Sequence, residues 1–273
     1  MEILRYSAFS TDPAGGNPAG VVLDATGLDD AKMQAIAAEV GYSETAFLFP
    51  EGQAGGRIRY FSPLAEVPFC GHATIATAVA YAERFGPGPL DLRANAGDIH
   101  VDTTPGTATL RSVPPATREI PADVRAALLR ALRWDTTDEA LPLRAAYAGA
   151  WHPVVAAPTR ERLADLDYDV PALRDLMAAQ DWTTVALVWR ESPTVFHARN
   201  PFPPGGVYED PATGAAAAAF GGYLRELSLV ETPTTLTIHQ GADMGRPSLL
   251  TVALDADPAT GIAVTGTAVR MPD

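Results

Sequence analysis

Three short stretches of the 273-residue chain carry residue types that could move a proton or hold an acid. They are Glu44 in GYSETAFLF, Cys70-Gly71-His72 in FCGHAT, and Asp210 with Thr213 in EDPATGA. Glu44 is followed by the apolar run Ala46–Phe49, where a carboxylate is costly unless it has a partner or a purpose. A carboxylic group in a partly dry cleft has its pKa raised towards working pH, which suits it to take and return a proton. Cys70-Gly71-His72 opens a helix, and a helix start offers unpaired N–H groups and a positive dipole end to a substrate carboxylate. Gly71 lets a ligand approach closely. His72 could donate a hydrogen bond or relay a proton, and equally could be a capping or core histidine. Asp210 and Thr213 precede a second helix, where either could serve as a plain N-cap.

Other chemistries lack their marks. GYSET approaches the G-x-S-x-G nucleophile elbow, but Thr45 stands where the last glycine belongs and the chain continues as a strand. No HExxH, P-loop or GxGxxG occurs, and histidines 100, 152, 197 and 239 have no metal-ligand spacing, so neither a metal nor a cofactor is expected. Asn17-Pro18 and Gln240-Gly241 read as turns that shape a cleft, with Asn17 a candidate ligand contact.

These residues must be held by short β-type segments separated by Gly, Pro, Asp and Asn. Strands are expected at Glu2–Phe9, Gly20–Leu23, Thr45–Phe49, Arg57–Phe61, Ile99–Val101, Ala108–Val113, Val154–Ala157, Val185–Trp189, Val195–Ala198, Thr235–His239 and Leu249–Ala253. Helical spacing of apolar residues appears over Asp29–Val40, Ala122–Arg133 and Pro171–Ala179. Strand runs mixed with isolated helices indicate an α+β architecture. Two further helices, Cys70–Arg84 and Gly214–Leu227, are apolar nearly all round and so must be buried on every side. Each follows a strand and a Phe-Pro-containing loop, about half a chain apart, which reads as a duplication with one buried helix per half.

Composition narrows the class further. With 47% apolar and 19% charged residues the chain is globular. Its net charge of −13 and single lysine, Lys32, argue against a nucleic acid or an anionic membrane as partner. The single cysteine rules out an internal disulfide, a CxxC pair and a multi-cysteine zinc site. No signal peptide or apolar run of about 18 residues is visible, so a cytoplasmic location is the default expectation.

Five motifs together resemble one family. GGNPAGVV (15–22), GYSETAFL (41–48), FSPLAEVPFCGHATIATA (61–78), EDPATGAA (209–216) and HQGADMGRPS (239–248) occur in the order and spacing of the PhzF-like proteins of phenazine biosynthesis. The resemblance spans nearly the whole chain and implies the diaminopimelate-epimerase fold, two similar halves each wrapping a β-barrel around a central helix. It implies halves at 1–115 with a C-terminal strand near 262–273, and at 116–261, with the active site in the cleft between them. By the same resemblance Glu44 is the general acid/base, assisted by Asp210 and His72. Cys70, Gly71, Thr213, Gly214, Ala215 and Asn17 would contact a small carboxylate-bearing substrate, and a homodimer is plausible. The family pattern is similar to EDPxTGSA, whereas this chain has Ala215 for the serine, which puts the phenazine-pathway substrate in doubt. The expected activity is a cofactor-independent isomerase. A two-base amino-acid racemase and a non-catalytic small-molecule binding protein are the alternatives.

Overall fold

The computed structural model describes residues 1–52 and 54–272. In chain order its strands begin with β1 (Leu4–Ala8), β2 (Asn17–Val22), β3 (Glu44–Pro50), β4 (Gly55–Phe61), β5 (Glu66–Val67), β6 (Pro89–Ala94), β7 (Gly97–Thr104) and β8 (Thr107–Arg111). They continue with β9 (Ala116–Glu119), β10 (Arg144–Tyr147), β11 (Trp151–Ala156), β12 (Ala186–Arg190), β13 (Val195–Pro201), β14 (Glu209–Asp210), β15 (Thr234–Gln240), β16 (Ser248–Leu254) and β17 (Ala263–Arg270). The helices are α1 (Asp30–Val40), α2 (Gly71–Phe85), α3 (Ala122–Leu132), α4 (Arg160–Ala164), α5 (Val170–Gln180) and α6 (Gly214–Glu226). This is an α+β chain in two compact units, Met1–Arg111 with Thr265–Asp273, and Ser112–Val264.

In the first unit the pairings run β1–β2–β3–β4–β6–β7–β8–β17 and return to β1, a closed ring of eight strands. Closure leaves no unpaired edge. Helix α2 packs against β1, β2, β3, β7 and β8, and every residue from His72 to Ala80 is buried. Its side chains are mostly Ala, Thr and Val, small enough for strands to surround a helix at close range. Burying Ile75 and Val79, both fully enclosed, contributes about 1.5–3 kcal/mol each. Helix α1 begins at an Asp29 cap whose carboxylate accepts from the Lys32 amide at 2.8 Å. Its Met33, Ile36 and Ala37 cover Val22, Phe47 and Phe61.

Asn17-Pro18 is not a turn. These residues start β2, opposite Ala8 and Ser7 of β1. Pairing of β2 with β3 begins only at Ala19, opposite Glu44, so the proline sits at the strand start, where a missing N–H is tolerated.

The second unit repeats the order of connections of the first. An antiparallel pair (β10–β11) is followed by a parallel crossover through α4 and α5 to β12, then an antiparallel step to β13. A short strand β14 folds back on β13, and a parallel crossover through α6 leads to β15 and then β16. The counterpart in the first unit is β1–β2, α1, β3–β4, β5, α2, β6–β7. Helix α6 is buried from Ala216 to Leu224 and packs against β9, β10, β11 and β16. A Cβ at Gly221 would press on Val252, Leu254 and Ile262, and one at Gly222 on Pro115, so these glycines let the helix lie close to its strands.

His152 on β11 is fully buried. Its Nδ1 lies 2.9 Å from Thr184 Oγ1, whose hydroxyl donates to Asn200 Oδ1 at 2.9 Å. Loss of hydration pushes this imidazole down to about 4. An unfolded chain protonates it near its ordinary value of about 6.5, so between these values the unfolded state binds more protons and stability rises with pH. Stability supplied by the neutral His152 is therefore complete above about pH 6.5 and declines by roughly 3 kcal/mol on acidification to pH 4. In an NMR titration the His152 ring should stay neutral down to about pH 4. Protonation at pH 6 in the folded protein would contradict this.

Candidate active site

Three elements of the first unit bring polar side chains to the start of α2. Glu44 is the first residue of β3 and Asn17 the first of β2. His72 is the second residue of α2, and Cys70 occupies the cap position in extended conformation without a side-chain capping bond. The Glu44 Oε2 to His72 Nε2 distance is 3.4 Å. Ser43 Oγ lies 3.4 Å from the same nitrogen. On the other side of the ring, His72 Nδ1 is 3.1 Å from Asn17 Nδ2 and 3.4 Å from Cys70 Sγ. With Nδ1 accepting from the Asn17 amide, Nε2 carries the proton and faces Glu44. The Glu44 side chain is 15% exposed and that of His72 only 7%, so the pair is largely screened from water yet reachable from outside.

The start of α2 is fixed from beneath. Thr74 Oγ1 donates to the Cys70 carbonyl at 2.6 Å, and the buried Tyr60 hydroxyl lies 2.6 Å from Thr74 Oγ1. The first intrahelical amide bond runs from Thr74 to Cys70, leaving the Gly71, His72 and Ala73 amides without intrahelical acceptors. A Cβ built on Gly71 would meet only the Phe69 ring, at an ordinary 3.9 Å. Packing within the unit does not require glycine there. At Gly20 the opposite holds, because a Cβ would collide with Thr45, its partner in register. Ser43 lies between α1 and β3 and leads into a strand rather than a helix, which is not the geometry of a nucleophile elbow.

In the second unit Asp210 and Thr213 form a closed network with a residue whose role the sequence did not disclose, Gln240. Thr213 Oγ1 donates to Asp210 Oδ2 at 2.6 Å. Gln240, 2% exposed at the end of β15, accepts the Thr213 amide at 3.1 Å and donates to the Asp210 carbonyl at 2.8 Å. Thr213 occupies the cap position of α6 but makes no side-chain capping bond, because its hydroxyl serves Asp210 instead. Its amide is likewise engaged, whereas the amides of Gly214 and Ala215, in the first turn of α6, have no intrahelical acceptor. Gln240-Gly241 does turn the chain, with Gly241 at φ 75°. A Cβ there would collide with the carbonyls of Arg246 and Pro211.

Beside Asp210, the Glu209 carboxylate accepts two bonds from Arg199, at 2.9 and 2.5 Å. Arg199 also donates to the Ala164 carbonyl at 2.6 Å. Both side chains are less than a tenth exposed, so their charges are kept from water and depend on each other.

The sequence singled out Glu44, Cys70, His72 and Asn17 one by one, and the structure draws all four together. Two partners were missed. Ser43 had a signal, its place next to Glu44. Gln240 had only the glycine after it.

The family model described as phenazine biosynthesis-like protein, PhzC-PhzF, matches residues 6–273. An uncharacterized isomerase from Mesorhizobium japonicum is 34% identical, over 99% of this chain and 96% of its own length. The trans-2,3-dihydro-3-hydroxyanthranilate isomerase of Pseudomonas chlororaphis is 32% identical, over 96% of this chain and 94% of its own. Among solved structures, a PhzF-family phenazine biosynthesis protein from Bacillus anthracis superposes with a TM-score of 0.88 at 25% identity, covering 100% of this chain and 98% of its own. A probable proline racemase from Agrobacterium radiobacter, at 13% identity and TM-score 0.67 over 98% and 90% of the two chains, shares the fold.

The buried Arg199–Glu209 pair gives a stability prediction. Replacing Glu209 by Gln strands the guanidinium and should cost about 3–5 kcal/mol in denaturant unfolding, whereas the double change Arg199→Met with Glu209→Leu should recover most of it. A loss below about 1 kcal/mol for Glu209→Gln would show a solvent-exposed pair instead.

Proposed function

Because the chain belongs to the PhzC-PhzF family of phenazine biosynthesis-like proteins and is an isomerase, we propose that it moves a proton within a small carboxylate-bearing substrate, with Glu44 as general acid/base. The single observation that carries this reading is the Glu44–His72 pair, 3.4 Å apart and largely out of water at the start of α2. The Glu44 carboxylate takes a proton from an activated carbon, and the electron pair left behind shifts the double bond along the molecule. The resulting carboxylic acid returns the proton to another carbon, so substrate and product have the same formula. His72, held by Asn17 and Ser43, donates from Nε2 to Glu44 or to the substrate and steadies developing negative charge. The amides of Gly71, His72 and Ala73, which have no intrahelical acceptors, receive the substrate's carboxylate.

For the second unit the reading assigns Asp210 as an assisting acid/base and the Gly214 and Ala215 amides as further donors. The Gln240–Thr213 network supports this, because it holds Asp210 and the helix start in one geometry. Thr213 acts here by positioning. The trans-2,3-dihydro-3-hydroxyanthranilate named for the Pseudomonas relative is the first substrate to try. Ala215 removes the hydroxyl that the family pattern places there, which argues for a different acid. A homodimer and a cytoplasmic setting belong to the same proposal. No helix among the described residues is long and apolar enough to cross a membrane.

A two-base racemase is the second reading, favoured by one observation: Cys70 Sγ lies 3.4 Å from His72 Nδ1 at a helix start, a place from which a thiol can serve as a second base. Against it, the matching turn before α6 has Pro211 and no thiol.

A metabolite screen by ligand-induced thermal shift, followed by turnover assays on the hits, tests the proposal. Glu44→Gln keeps shape but removes the base, so turnover should fall at least ~10²-fold while binding persists. Cys70→Ala should lose far less. Equal loss in the two variants, with folding intact, would move the racemase to first place, and near-normal turnover in Glu44→Gln would remove Glu44 from the mechanism. A hit that binds without any product would point to a binding protein.

The reading also needs no metal. Dialysis against EDTA should leave turnover undiminished, and activity that vanished and came back with a divalent ion would refute that.

A further inference from the structure

The donor atoms of Glu44, Cys70 and His72 all lie within 4.8 Å of one another. Taking His72 Nε2 as its donor, the separations are 3.4 Å to Glu44 Oε2 and 3.8 Å to Cys70 Sγ. A tetrahedral zinc ion, with bonds of about 2.3 Å to sulfur and about 2.0–2.1 Å to nitrogen and oxygen, spaces its ligands about 3.3–3.6 Å apart. The Glu44 edge already matches this, and Cys70 Sγ, which lies nearer Nδ1 at 3.4 Å, completes the set by turning towards Nε2 on binding. We propose that Glu44, Cys70 and His72 form an inhibitory zinc site, which captures Zn²⁺ when no substrate is bound and blocks the acid/base.

The donor set fits this ion better than others. A thiolate with an imidazole suits zinc and excludes magnesium and calcium, which require oxygen ligands. On binding, the Cys70 thiol releases its proton to solvent and Nε2 gives up its own. Thiolate and Glu44 carboxylate then neutralise the two positive charges, so no net charge is left in a site whose Cys70 and His72 are less than a tenth exposed. With the proton moved to Nδ1, the Asn17 amide turns to present its oxygen, the hydrogen bond that orients a metal-bound histidine. Glu44 stands on a strand and the other two at a helix start, so the set is held by rigid elements. Three protein ligands leave a fourth position for water.

Spacing alone concealed the site, because Cys70 and His72 are two apart in sequence and the third ligand lies on a separate strand. A competing surface cluster is present. His100 lies 2.6 Å from Asp91 and 3.6 Å from Asp102, all well exposed and without a thiolate.

Binding does not rest on the proposed reaction, whereas inhibition does. The experiment uses the full chain, stripped with EDTA and titrated with zinc against a chromophoric chelator. One ion per chain should bind, and Cys70→Ala, Glu44→Gln and His72→Asn should each weaken it at least about tenfold, with His100→Ala unchanged. Zinc should also slow alkylation of Cys70, the sole cysteine, at least about tenfold. Unchanged affinity in the three variants, or loss in His100→Ala, would overturn the site. Cobalt on the unmutated protein guards against a variant that fails to fold, since a thiolate-to-cobalt absorption band is expected and its absence at saturation would also overturn the site. Saturating zinc should lower turnover at least about tenfold, restored by EDTA. Zinc bound at these residues with turnover intact would sink both the inhibition and Glu44's assigned role, whereas failure to bind leaves that role untouched.

Discussion

A helix without a polar face must be enclosed on every side, and the arrangement of the first unit follows from that constraint. From His72 to Ala80 every residue of α2 is buried, so strands have to surround it, and the seven ring strands from the N-terminal part do not suffice. The ring closes only when β17, from the far end of the chain, slots between β8 and β1. Enclosure then leaves only the two ends of the helix near the surface, the exposed Glu83–Phe85 turn and the polar start. Glu44, Asn17, Cys70 and His72 gather there, at the strand beginnings and helix cap that border the apolar interior.

The same constraint explains why the polar groups are so fully tied to one another. Close to a hydrocarbon interior, an unpaired donor costs about 1–3 kcal/mol. His72 uses both ring nitrogens, Thr74 reaches back to the Cys70 carbonyl, and Tyr60 meets Thr74. In the second unit Gln240 performs this service for the start of α6. Each unit thus spends buried polar side chains on fixing one helix start, an arrangement expected where geometry must hold to a fraction of an ångström.

Much of this was legible in the residues. The two all-apolar helices identified their own burial, Glu44 betrayed itself by the apolar strand it opens, and the PhzF-like motifs carried the fold. Three longer strands went unread for local reasons. β6 starts with a proline and alternates Leu90 and Leu92 with charges, β9 has four residues of which two are charged, and β10 is mainly alanine. β17, expected from the family resemblance, carries a central glycine and has no strong strand pattern of its own. Their strand character comes from partners distant in sequence rather than from propensity. Asn17-Pro18 looks like a turn for the same reason, since its pairing with Ser7 and Ala8 is a tertiary fact. Gln240 could not be read as a clamp because both of its partners lie some thirty residues away.

The central claim is that one carboxylate takes a proton from one carbon and returns it to another. Turnover in D₂O, followed by NMR of recovered substrate and product, tests it directly. Solvent exchange on Glu44 between the two steps should place deuterium at the carbon that gains a hydrogen, and nowhere else. Deuterium at the carbon that lost its hydrogen, with its configuration inverted and the double bonds unmoved, would be the mark of inversion by two bases and would contradict the account.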